Sequence, residues 1–120
     1  MEKKLVYDGE YRLMRIVWEH EPLGSGELAR LCEEQLGWKK STTYTVLKKL
    51  CTRGLLQNEQ SIVSARISME EVHRAESEQL MEKAFGNSLP RFVATFLQDR
   101  KLSPQEAEEI RRLIDAYEKE

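Results

Sequence analysis

Between Trp38 and Gly54 the chain carries five cations, Lys39, Lys40, Lys48, Lys49 and Arg53, and no carboxylate. Interleaved with them are the hydroxyls of Ser41, Thr42 and Thr45 and the phenol of Tyr44. Such a set suits hydrogen bonding and charge neutralisation rather than bond breaking. Hydroxyls reach base edges and phosphate oxygens, while lysines neutralise a polyanionic backbone. Spacing sorts the residues onto two faces of one helix. Val46, Leu47 and Leu50 recur as an apolar stripe, and Thr42, Tyr44, Thr45, Lys48 and Lys49 share the opposite side. Ser41 can cap the start, and Gly54 stands where a helix-ending glycine is expected. Residues 41–53 read either as a recognition helix for a DNA major groove or as an ordinary amphipathic surface helix. The neighbouring elements discriminate between the two.

Asp8 can cap a first helix running to about His20, with Tyr11, Met14, Val17 and Trp18 as its inner stripe, widened by Leu13 and Ile16. Pro22, Gly24 and Ser25 break it, and Ser25 can start a second helix lined by Leu28, Leu31, Cys32 and Leu36 and ended by Gly37. Trp38-Lys39-Lys40 then leads directly into the cationic helix. Two helices joined by a tight turn, the second rich in hydroxyls and lysines, make a helix-turn-helix. After Gly54 the pattern becomes extended. Residues 55–59 and 62–67 read as two strands with Gln60-Ser61 at the bend, which is the wing of a winged helix. One base, Arg66, faces one acid, Glu59, so this wing is expected to pack well and to add little phosphate binding.

Ser68 with Glu71 forms a capping box for a charged helix reaching about Phe85, in which Val72, Leu80, Met81 and Phe85 are sparse apolar contacts. Gly86-Asn87-Ser88 breaks it. Leu89, Phe92, Val93, Phe96 and Leu97 follow a strict helical stripe. Ser103-Pro104-Gln105-Glu106 then opens a last helix whose apolar face is Ala107, Ile110, Leu113, Ile114 and Tyr117. Neither stripe has a core of its own to bury it. A second copy of the chain is the simplest partner, giving an isologous dimer that also supplies a second half-site. The competing arrangement folds these helices back on the N-terminal part as a monomer. The expected architecture is mainly α with a small β-hairpin: a winged helix-turn-helix DNA-binding domain over 1–68 and a C-terminal helical dimerisation domain over 69–120.

The whole chain, 120 residues with 40% hydrophobic and 33% charged residues, has room for one small core. Its net charge of −2 excludes a generic nucleic-acid coat, and the charge is polarised, basic in the middle and acidic at the end. No apolar run approaches a membrane span and the N-terminus lacks a signal-peptide core, so a cytoplasmic protein without membrane insertion is expected. Cys32 and Cys51 are too few and too far apart for a disulfide framework or a metal knuckle, and read as buried free thiols. No cofactor or metal is called for.

Catalysis is not expected either. The only histidines, His20 and His73, lie at a helix end and on a charged helix, and no nucleophile–base–orienter pattern surrounds them. Glu33-Glu34 and Glu108-Glu109 look like solvated helix faces. Two non-enzymatic alternatives stay open: a winged-helix adaptor that docks protein, and a ligand- or redox-responsive regulator acting through Cys32 and Cys51. Against the adaptor stands the absence of acids from Trp38 to Gly54.

The order of elements resembles the BlaI/MecI/CopY family of penicillinase-type transcriptional repressors over nearly the whole length. The residues carrying the resemblance are Ile16-Val17-Trp18, Trp38, the run from Thr42 to Leu50, Arg53-Gly54-Leu55-Leu56, and Phe85-Gly86-Asn87-Ser88-Leu89 followed by Phe92-Val93. The resemblance implies a homodimer on dyad operators of double-stranded DNA upstream of resistance or stress genes. Carried over, the base and phosphate contacts fall on Thr42, Tyr44, Thr45, Lys48 and Lys49, with Lys39 and Lys40 near the helix start; Ser41, and Arg66 on the wing, are further candidate DNA contacts. The dimer interface falls on Leu89, Phe92, Val93, Phe96, Leu97, Ile110, Leu113, Ile114 and Tyr117. In this family a membrane-bound metalloprotease sensor induces the system, and the repressor is cut in its dimerisation domain, commonly at an Asn-Phe bond. The matching pair here is Thr95-Phe96, so the asparagine is replaced. The wing also departs from the basic, tyrosine-containing one common in the family, and the C-terminal cysteine cluster of the copper-responsive branch is absent.

Overall fold

The computed structural model describes residues 5–119. Nine elements follow in order: α1 Asp8–His20, β1 Leu23–Gly24, α2 Ser25–Leu36, α3 Lys40–Thr52, β2 Leu56–Glu59, β3 Ile62–Ala65, α4 Met69–Phe85, α5 Leu89–Leu97 and α6 Pro104–Tyr117. They form two compact units, which divide between Leu80 and Met81. The division falls inside α4, whereas the domain expectation placed it before that helix. Val72, in the first turns of α4, is fully buried in the first unit's core. The Tyr11 hydroxyl meets His73 Nε2 at 2.8 Å. Those turns therefore pack with the first unit.

The first unit is a winged helix. Its core joins Leu13, Met14 and Val17 of α1 to Leu28 and Cys32 of α2, Leu47 and Leu50 of α3, and Leu56 and Val63 of the sheet. Each is an apolar side chain at the period of its own element, so burial of the stripes brings the three helices and the sheet together. The sheet is antiparallel with order β1-β3-β2, Leu23 facing Val63 and Leu56 facing Ala65. The hairpin expected from the sequence is present. The third strand, β1, lies in what read only as a helix break. Gln60 and Ser61 both take positive φ, 53° and 68°, as a two-residue hairpin loop of matching twist requires.

Helix starts differ from expectation at three positions. Tyr7, not Asp8, is the N-cap of α1, and its N–H donates to the Glu10 carboxylate at 3.1 Å. Gly24 rather than Ser25 precedes α2, and the Ser25 N–H donates to the Ser61 carbonyl at 2.8 Å. Ser41 does not cap α3: the helix begins at Lys40, with Lys39 extended ahead of it. Gly37 at φ 72° ends α2 and turns the chain so quickly that the helical conformation is resumed before Ser41 is reached. At the far end Gly54, φ 80°, closes α3 as expected. The Leu55 N–H reaches the Leu50 carbonyl and the Gly54 N–H that of Cys51, both at 3.0 Å.

In the second unit the chain turns at Gly86 and Asn87, both at positive φ, and the Ser88 hydroxyl caps α5 by accepting from the Arg91 N–H. Ser103 and Glu106 form the expected reciprocal capping box of α6. Phe85 meets the Phe92 ring edge-on with centroids 5.3 Å apart, Phe92 stacks on Phe96 at 5.9 Å, and the Arg100 guanidinium lies 4.3 Å from the Phe96 centroid. No residue of α5 or α6 is buried.

Candidate nucleic-acid interface

The helix-turn-helix consists of α2, the turn at Gly37-Trp38-Lys39 and α3. Trp38 packs partly against the core and its N–H donates to the Cys32 carbonyl at 3.3 Å, fixing the turn. On α3 the inner face is Thr43, Leu47 and Leu50, one heptad of i, i+4, i+7 spacing. Val46 is only half-buried, so the apolar stripe expected from Val46, Leu47 and Leu50 is rotated towards Thr43. The Thr43 hydroxyl is fully buried and has no well-formed hydrogen bond among the described residues. Its neighbour, the Cys32 thiol, is a weak donor and acceptor.

Every residue assigned from sequence to the outer face is exposed: Lys39, Lys40, Ser41, Thr42, Tyr44, Thr45, Lys48 and Lys49. They form one continuous polar face over the first three turns of α3 and the residue before it. No ion pair engages these lysines among the described residues. Arg66 is also exposed, one residue beyond β3, with its backbone N–H on the Leu55 carbonyl. The wing is held at its base by Glu21, whose carboxylate accepts from the Ala65 N–H at 2.7 Å.

Arg53 behaves differently from the other cations of its stretch. Its guanidinium donates to the Glu10 carboxylate at 2.6 Å and to the Leu5 carbonyl. It also lies 5.7 Å from the Tyr7 ring centroid. The pair is mostly buried, with Arg53 26% and Glu10 11% exposed in their side chains. Residues 38–54 lack acids in sequence, yet the fold supplies one from α1. Beside the pair is a depression of about 760 Å³ lined by Tyr7, Glu10, Thr45, Lys48, Lys49, Thr52 and Arg53. Sequence reasoning missed Tyr7 and Glu10 because their partner lies more than forty residues away.

The two thiols sit apart from this face. Burial pushes the Cys32 thiol above its ordinary range, opposed in smaller part by the Thr43 hydroxyl, and burial alone raises Cys51. Neither is a low-pKa reactive cysteine. His20 Nδ1 bonds the Ile16 carbonyl, as His73 does the Tyr11 hydroxyl, so both imidazoles hold local structure.

In the second unit Leu89, Val93, Phe96, Ile110, Leu113, Ile114 and Tyr117 are exposed, from 39% at Val93 and Ile110 to 83% at Tyr117. Phe92 and Leu97 are half-buried. Thr95 and Phe96 occupy the last turn of α5, both exposed. No helix among the described residues is long and apolar enough to cross a membrane.

The comparisons with known proteins agree with this geometry. Residues 8–116 match the penicillinase repressor family. The penicillinase repressor of Bacillus licheniformis is 20% identical over 116 residues, covering 93% of this chain and 91% of that protein. The solution structure of the DNA-binding domain of the repressor BlaI superposes with a TM-score of 0.51 at 20% identity, over 55% of this chain and 85% of that one. The shared fold is thus the winged helix, and the family match extends well beyond it. The chain belongs to the penicillinase repressor family, a family of DNA-binding transcriptional repressors and not of enzymes.

Proposed function

We propose that this chain represses transcription as a homodimer on a dyad operator in double-stranded DNA, each copy laying α3 in a major groove. The observation that carries this reading is the outer face of α3. Eight exposed cations and donors, unpaired with any acid among the described residues, stand on a helix whose other side is locked into the core. Thr42, Tyr44, Thr45 and Ser41 are the base-edge and phosphate donors, and Lys39, Lys40, Lys48 and Lys49 neutralise phosphates. Arg66 adds the wing's one cation. Residues 1–68, with the first turns of α4 packed on them, serve as the DNA-binding domain, and the remainder of 69–120 serves as the dimerisation domain.

The apolar faces of α5 and α6 support the second copy. Burying a Phe or Leu side chain stabilises by about 1.5–3 kcal/mol, and these faces leave several such side chains wet in a single chain. Induction follows the family's mode, a membrane-bound metalloprotease sensor cutting Thr95-Phe96. That bond lies in a helix's last turn, the part that opens most readily. Sequencing of the fragments from induced cells should find one ending at Thr95.

The test of the DNA reading is affinity for promoter duplex as a function of salt. Log affinity should fall linearly with log salt, with a slope no steeper than about −9 if four lysines and Arg66 on each of two copies each release a counterion. Absence of binding at low salt overturns the reading in favour of a protein-docking adaptor.

A further inference from the structure

The depression beside α3 is walled on one side by residues with no role in the reading above, Tyr7 and the Glu10–Arg53 pair. Tyr7 is 73% exposed, although it directly precedes a helix whose inner face is fully buried. It is nonetheless held twice. Its N–H donates to the Glu10 carboxylate, and its ring faces the Arg53 guanidinium. Arg53 in turn is fixed by Glu10 and by the Leu5 carbonyl. The backbone bond fixes where the residue sits, and the guanidinium, 5.7 Å from the ring centroid, favours the rotamer that lies on its side of the hollow. The ring borders the same hollow as Thr45, Lys48 and Lys49, three residues of the outer face of α3.

Charge decides what the arrangement can grip. Arg53 is neutralised by Glu10, so it adds no net positive charge to the hollow. Lys48 and Lys49 remain, and the Tyr7 phenol is an uncharged donor lining the same hollow. A hollow that offers a phenol and two lysines, at the edge of a groove-reading helix, suits a DNA backbone phosphate; tyrosine hydroxyls are among the usual phosphate donors.

Resting on the DNA reading of α3, we propose that Tyr7 is a further DNA-contacting residue, donating its hydroxyl to a backbone phosphate flanking the base pairs read by α3. Glu10 and Arg53 are its positioning residues, and Arg53 is not itself a phosphate contact.

The test uses the full-length chain and a duplex enriched from a randomised pool by the wild-type protein. Tyr7→Phe keeps the ring on Arg53 and removes only the hydroxyl. Affinity should fall about fivefold per copy, about 25-fold for the dimer, with the melting temperature and the salt slope unchanged, because an uncharged donor releases no counterion. Introduced into a Glu10→Gln background, where the ring is no longer placed, Tyr7→Phe should cost less than twofold. Tyr7→Phe binding within twofold of wild type overturns the proposal. So does an Arg53→Gln variant that keeps its fold but flattens the salt slope by about one unit per copy, since Arg53 would then be the phosphate contact. Lys48→Ala, measured alongside, separates the two levels. If it weakens binding while Tyr7→Phe does not, only this inference fails. If neither matters, the DNA reading of α3 fails with it.

Discussion

Replacing Thr43 by valine should make the protein more stable and leave DNA binding untouched. Thr43 is fully buried on the inner face of α3, and its hydroxyl lacks a well-formed partner. Leaving a buried hydroxyl without a good hydrogen bond costs about 1–3 kcal/mol. The weak interaction with the Cys32 thiol recovers a fraction of that. Valine has nearly the same shape and the same branching at Cβ, so it opens no cavity and changes helix propensity little. The net gain is then about 1 kcal/mol. Both tryptophans, Trp18 and Trp38, lie in the first unit. Their fluorescence in a urea titration therefore reports that unit alone. The midpoint should rise by about 0.5–1 M, and the thermal midpoint by about 4–8 °C. Operator affinity should stay within twofold of wild type, because the side chain points away from the outer face. A loss of 1 kcal/mol or more would show that the hydroxyl is well bonded and that the polar defect does not exist. A large change in affinity would show that α3 presents a different face to DNA.

Further outcomes follow from the same geometry. Lys48→Ala should weaken binding to all duplexes alike and flatten the salt slope by about one unit per copy, whereas Thr45→Ala should reduce discrimination between operators more than affinity. Phe96→Asp puts a charge on the exposed face of α5 and should yield a monomer in sedimentation velocity; unchanged sedimentation refutes that interface. Ser61→Gly relieves a non-glycine residue at φ 68° and should stabilise by about 1 kcal/mol, read as a higher urea midpoint. The raised Cys32 thiol favours its neutral form in the fold, so its contribution to stability is complete below the ordinary thiol pKa of about 8.5 and shrinks as pH rises above it. Measured unfolding free energy should therefore decline from pH 8 to 10, and decline less in Cys32→Ala.

Much of the architecture was legible because its signals are local. Ser68 with Glu71 and Ser103 with Glu106 each close a capping box over three residues, and apolar spacing marks every helix but the charged α4. The outer face of α3 was legible for the same reason. The strand β1 was not, since two residues carry no alternation and are a strand only by pairing with β3. Ser25 and Ser41 resemble caps, yet the turns before them finish early and leave both inside their helices. Thr43 reads as polar, and only its spacing to Leu47 and Leu50 places it inward. Arg53 looked like one cation among five; its neutralisation depends on Glu10, brought alongside by packing of α1 against α3.

The wing's attachment has a consequence for how such a repressor can diverge. Its position is set by the bond from the Ala65 N–H to the Glu21 carboxylate at its base, by the bond from the Ser25 N–H to the Ser61 carbonyl at its loop, and by the buried side chains of Leu56 and Val63. The outward residues, Asn58 among them, take no part in that fixation. They form a blank surface that mutation can rewrite freely without endangering the fold. A near-neutral wing is in this sense an adjustable grip: related proteins can acquire tighter or differently placed contacts by changing side chains there, while the helix that reads the bases stays as it is.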